Sequence, residues 1–106
     1  MPYRIVFTPK AADQIVALYE YIIADGSPLI AERYTSALVN YCEELNTFPH
    51  RGTRRDDIRP GLRITHYKTR TIIAYIVDDA AQQVVILGVF YGGQDYEAAL
   101  GFDDDA

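Results

Sequence analysis

A chain of 106 residues, 49% hydrophobic and 24% charged with a formal charge of −5, has material for one core and not for two. That composition excludes intrinsic disorder, and no run of 18 apolar residues is present to cross a membrane. A single cysteine, Cys42, excludes an internal disulfide and a cysteine-rich metal site.

The N-terminal MPYRIVFTPK lacks the apolar stretch and small-residue cleavage site of a signal peptide, so the expected compartment is the cytoplasm. Residues 3–7 alternate, with Tyr3, Ile5 and Phe7 on one face, and predict a short strand. Thr8-Pro9 then supplies an N-cap followed by proline at the first helical position. Ile15, Leu18, Tyr19, Ile22 and Ile23 form the stripe of one buried helix face. Asp25-Gly26 ends that helix, on the expectation that the glycine turns left-handed. Ser27-Pro28 repeats the cap and opens a longer helix, with Ile30, Tyr34, Ala37, Leu38, Tyr41, Leu45 and Phe48 along one side up to Pro49. So short a connection predicts an antiparallel helix hairpin.

Residues 49–61, PHRGTRRDDIRPG, read as a loop rich in proline and glycine. Three strands follow, at 62–67, 71–77 and 84–91. Their short connections predict an antiparallel meander. Residues 95–100 predict one or two helical turns, and the acidic end over 101–106 is expected to fray. The order βααβββ(α) therefore predicts a single α+β domain over 1–100, an antiparallel sheet packed against an N-terminal helix hairpin.

The average charge conceals a division. Residues 50–71 hold Arg51, Arg54, Arg55, Arg59, Arg63, Lys68 and Arg70 against Asp56 and Asp57, a balance of +5, and the remainder of the chain stands at −10. A basic middle between acidic flanks marks a candidate interaction surface. Guanidinium groups hold phosphate or carboxylate in two-pronged fashion, and tyrosines stack on bases or fill protein pockets. An acidic protein partner suits the same side chains. Tyr19, Tyr34, Tyr41 and Tyr75 fall on core positions by periodicity, whereas Tyr67, Tyr91 and Tyr96 are left for the surface.

Other chemistry finds little material. Cys42 lies beside the apolar stripe of the second helix, where a free cysteine acts as a small hydrophobe. His50 and His66 have no partner at metal-ligand spacing, so no metal is expected. Gly92-Gly93 lacks the spacing of a phosphate-binding loop. Asp56-Asp57 and Asp78-Asp79 read as turn residues.

With these residues in place, the chain resembles the RelE/ParE superfamily of toxins from bacterial type II toxin–antitoxin modules, and within it the ParE, or plasmid-stabilisation, branch. The similarity covers residues 3–100. It rests on FTPKAADQI at 7–15, the ERY…L…L helix over 32–45, FPHRGTRRDDIRPGLR at 48–63, IIAYIV at 72–77, and the final strand followed by Gly92, Asp95 and Leu100. The resemblance implies a toxin that inhibits DNA gyrase by protein contact and is neutralised by a cognate antitoxin, with no cofactor and no catalytic residue. It implies a target-binding surface of Arg54, Arg55, Arg59, Arg63, Lys68, Arg70, Tyr67 and Tyr96. Neither a membrane nor specific DNA is expected as partner: no apolar run could span a membrane, and the net charge argues against nucleic acid.

The alternatives within the superfamily are a RelE-like ribosome-dependent mRNA endoribonuclease and an inactive, decayed toxin. RelE-like members use an arginine that opens the strand here beginning Ile72-Ile73, and a basic segment after the last strand. In this chain that segment reads Gly92-Gly93-Gln94-Asp95-Tyr96-Glu97. It also lacks the arginine of the G-R-x-D-like motif frequent in the ParE branch.

Overall fold

The structure is a computed structural model that describes residues 2–101. Its elements are β1 (Arg4–Phe7), α1 (Pro9–Asp25), α2 (Pro28–Glu43), a 3-10 turn (Glu44–Asn46), β2 (Thr53–Arg54), β3 (Leu62–Tyr67), β4 (Thr71–Asp78), β5 (Gln83–Tyr91) and α3 (Tyr96–Gly101). This is the predicted α+β order, with a two-residue strand added inside the loop. Of the end expected to fray, 101–106, Gly101 closes α3, and residues 102–106 lie outside the described part.

Both helix starts follow from their caps. The Thr8 hydroxyl oxygen accepts the Ala11 N–H at 3.1 Å, and the Ser27 hydroxyl oxygen accepts those of Leu29 and Ile30 at 3.1 and 3.4 Å. Helix α1 stops at Gly26 as predicted, but the glycine is extended (φ −160°) rather than left-handed.

The sheet runs β1-β5-β4-β3-β2. Strands β3, β4 and β5 form the predicted antiparallel meander. Strand β1 lies parallel to β5, with Arg4 opposite Gln83 and Phe7 opposite Ile86, so the sheet is mixed rather than wholly antiparallel. Parallel neighbours need a long connection, and everything between β1 and β5, the helix hairpin included, supplies it.

Alternation along the strands builds a core on each face. Ile73, Tyr75, Val84, Ile86 and Val89 pack with Leu18, Leu38, Cys42 and Leu45 under the helices. Leu62, Ile64, Ala74 and Phe90 pack with Leu100 of α3 on the opposite face, helped by Ile58. Two of the residues placed on the α2 stripe are exposed: Ile30 by 57% and Phe48 by 79%. Ile30 sits in the first turn of α2, where no layer covers it. For Phe48 the reason is geometric. The α-helix ends at Glu43 and a 3-10 turn follows, which breaks the 3.6-residue phase before position 48 is reached.

Two backbone details matter below. Gly52 has φ +81°, and a Cβ there would run into the Ile64 carbonyl across the β2–β3 ladder, so only glycine lets the loop close onto β3. Strand β1 ends opposite Ile86, which leaves the outer edge of β5 without a strand partner from Leu87 onward. The side-chain oxygens of Gln14 and Gln94 accept the Val89 and Tyr91 N–H groups at 2.7 and 2.8 Å.

Candidate functional site

The register of β3 on β4 divides the basic stretch into two groups. Leu62 pairs with Ile76 at one end of the ladder and Tyr67 with Thr71 at the other, about 17 Å apart at the usual strand rise. Arg54, Arg55 and Arg59 gather at the first, loop end; Lys68 and Arg70 occupy the second, hairpin end. The eight predicted surface residues therefore do not form one patch.

At the loop end the arginines are engaged. Arg54 pairs with Asp56 at 2.9 Å. Arg55 reaches Asp57 at 2.9 Å and Glu97 at 3.0 Å, and donates to the Tyr96 hydroxyl at 2.6 Å. Its guanidinium is tied to α3, and the hydrogen bonds it donates to the Asp57 and Glu97 carboxylates push its pKa further up. The same bond holds the Asp57 carboxyl below the usual range. Asp56 is held down by the Gly61 N–H and by Arg54. Arg59 is half-buried, and its backbone carbonyl accepts the Leu62 N–H at 3.0 Å. Arg63 lies opposite Arg54 in the ladder and donates to the Arg51 carbonyl at 3.3 Å.

At the hairpin end the cations are open. Lys68 has φ +54° and its ammonium stands 5.6 Å from the Tyr67 ring centroid; the Arg70 guanidinium stands 5.5 Å from that of Tyr91. Among the described residues neither pairs with a carboxylate. Arg70 divides two hollows. One, of about 440 Å³, is lined by Gln14, Leu18, Tyr21, Val89 and Tyr91 among others. The second, of about 360 Å³, is lined by His66, Thr69, Ile72, Gly92 and Gly93 besides Arg70.

The tyrosines expected at the surface are half-buried instead. Tyr67 packs edge-on to Tyr34 and tilted against Tyr41 under the helices, because the odd-numbered face of β3 turns toward α2. Tyr91 joins that aromatic row. Tyr96 packs on Phe90 and takes the Arg55 bond, which makes it part of the α3 dock. Tyr34 follows its core assignment, with its hydroxyl 2.6 Å from that of Thr71.

Two residues outside the predicted target-binding set stand out: Phe48, placed on the buried stripe of α2, and Arg51, counted only in the basic stretch. Phe48 is exposed in a left-handed conformation (φ +56°), and Arg51 follows three positions later. Pro49 directly after Phe48 was the available signal that the helix had already ended. Cys42 is buried as expected, and burial pushes its thiol up to about 12, which leaves no thiolate for chemistry. His50 meets the Asp79 carboxylate at 2.8 Å beside the Tyr3 hydroxyl at 2.7 Å. Among the described residues no group of three His, Cys, Asp or Glu gathers to hold a metal, and no helix is long and apolar enough to cross a membrane.

A model of the family described as the ParE toxin of the type II toxin–antitoxin system parDE matches residues 5–96. Among solved structures, the chain is similar to one from the chromosomal ParDE toxin–antitoxin system of P. aeruginosa, at 21% identity over 85% of this chain and 96% of that one, TM-score 0.72. It is similar to a chain of the toxin–antitoxin complex RelBE2 from Mycobacterium tuberculosis, at 23% identity over 86% and 99%, TM-score 0.63. An arginine-to-alanine mutant of the E. coli toxin RelE in the free state aligns over all of both chains, at 16% identity and TM-score 0.59. A search of curated proteins finds no match. At these identities the solved structures establish the fold.

Proposed function

Because the chain belongs to the ParE toxin family of type II toxin–antitoxin systems, we propose that it poisons DNA gyrase by binding it, without a chemical step of its own, and is neutralised by a cognate antitoxin. The observation that carries this reading is the hairpin end of the sheet. Where a RelE-like nuclease would place an arginine, β4 carries Ile72 and Ile73 behind Thr71. The segment after β5 offers Gly92, Gly93, Gln94, Asp95 and Glu97. Tyr96, the remaining candidate acid there, accepts the Arg55 bond and packs on Phe90. With those two family cations missing, only Lys68 and Arg70 remain at this end as a partial set for charge developing on a phosphate in flight. Lys68 and Arg70, open beside the hollows, suit recognition of carboxylates on a protein surface.

The antitoxin fits the helix hairpin. Val16, Tyr21, Leu29 and Ile30 are each more than half exposed there, and an amphipathic segment would cover them.

Purified toxin should block gyrase supercoiling at a near-stoichiometric ratio. Codon-phased cuts in translated mRNA with gyrase unaffected would overturn the reading in favour of the endoribonuclease. Harmless expression without antitoxin would instead mark an inactive toxin.

A further inference from the structure

We propose that Phe48 is an aromatic anchor that inserts into an apolar pocket on the toxin's target protein, with Arg51 and Arg63 meeting carboxylates at the rim of that pocket. This deepens the toxin reading and rests on it.

The conformation of Phe48 works against the free chain twice. A bulky residue at φ +56° is strained, and a phenyl ring that is 79% exposed gains almost nothing from the core. Glycine would remove both penalties. A residue that costs the free protein and returns nothing to its fold is the pattern of a functional position.

The surroundings hold that ring out. On one side the Asn46 carbonyl accepts the Tyr3 N–H at 3.0 Å. On the other, Pro49 is buried, and its carbonyl and that of Arg51 both receive the buried Tyr75 hydroxyl. His50 is fastened to Asp79, and the Arg51 guanidinium donates to the Glu44 carbonyl at 2.9 Å. The backbone around Phe48 is thus pinned to β1, β4 and the β4–β5 turn before any partner arrives. A rigid aromatic side chain on a preorganised support is what a binding hot spot requires.

The partner's chemistry follows from charge. Among the described residues neither Arg51 nor Arg63 pairs with a carboxylate: the Arg51 guanidinium donates to the Glu44 carbonyl, and that of Arg63 to the carbonyl of Arg51, three residues after Phe48. An apolar pocket rimmed by carboxylates would satisfy all three side chains. The occupant is the target and not the antitoxin, because Phe48 lies beyond the C-terminal end of α2. The exposed Leu29 and Ile30 lie at its N-terminal end, about 24 Å away along a 16-residue helix.

The test compares wild type with Phe48→Gly, Phe48→Tyr and Arg51→Glu. Thermal unfolding, calorimetry against the cognate antitoxin, growth arrest and binding to purified gyrase are measured for each. Phe48→Gly is expected to melt at the same temperature or about 4 °C higher, to bind antitoxin as wild type does, and to lose about tenfold or more in growth arrest. Phe48→Tyr keeps the ring and should stay toxic, whereas Arg51→Glu should be weakened and lose part of its salt dependence. Full toxicity of a folded Phe48→Gly chain overturns the proposal. So does a melting temperature well below wild type, which would make Phe48 a structural residue, or a selective loss of antitoxin binding. If growth arrest depends on Phe48 while gyrase is untouched, the anchor stands and the gyrase target falls. A wild-type chain that arrests nothing overturns both.

Discussion

The two ends of the β3–β4 ladder carry the same residue types to opposite ends. At the loop end, the Arg54 and Arg55 guanidinium groups are spent on Asp56, Asp57, Glu97 and the Tyr96 hydroxyl. At the hairpin end, Lys68 and Arg70 rest on tyrosine rings and leave their donors to solvent. Arginine density in a sequence is therefore not binding capacity. What decides is whether the fold brings carboxylates within reach, and here α3 brings Glu97 to one end only.

That contrast predicts effects of graded size. The largest is structural: Gly52→Ala places a Cβ against the Ile64 carbonyl at positive φ, and should cost about 2–4 kcal/mol in chemical denaturation. An unchanged midpoint would mean that the loop end is not braced by the β2–β3 closure. Next, Arg55→Ala removes the ties to Asp57, Glu97 and the Tyr96 hydroxyl and should undock α3. We expect a melting temperature lowered by about 4 °C and faster amide exchange over residues 96–101. Equal exchange in mutant and wild type would show that Leu100 alone holds the helix. The reverse pattern is expected at the hairpin. Lys68→Glu and Arg70→Glu should leave stability within about 0.5 kcal/mol while weakening inhibition of the target about tenfold. Wild-type inhibition by both variants would remove the hairpin end from the binding surface.

The smallest effect is on pH. The Tyr3 hydroxyl and then His50 hold the Asp79 carboxyl below the usual aspartate range. A depressed folded pKa gives stability that is present above the ordinary value, about 4. That stability is lost as pH falls through the lowered value. Asp79→Asn should accordingly flatten the acid limb of a plot of melting temperature against pH. Parallel limbs would show that the hydrogen bonds of Asp79 to Tyr3 and His50 add nothing to the brace around Phe48.

Much of this was legible in the residues. Thr8-Pro9 and Ser27-Pro28 place both helix starts, and alternation places β3 within its observed bounds, because caps and strand faces are local physics. The pairing of β1 along β5 was not, since the two strands lie 75 or more residues apart and no local pattern records their direction. The ties of Arg55 fail for the same reason: Tyr96 is 41 residues away. Tyr67 looked free because β3 shows alternation but not which of its faces α2 will cover. Phe48 was lost to an assumption of unbroken helical phase, and the 3-10 turn at Glu44 ended that phase.

The half-covered edge of β5 has a consequence of its own. A toxin must spend time alone once its antitoxin is gone, and a bare row of strand amides invites other chains to add on and aggregate. Gln14 and Gln94 occupy the Val89 and Tyr91 amides with side-chain oxygens. They occupy two donors that a strand added to this edge would otherwise use.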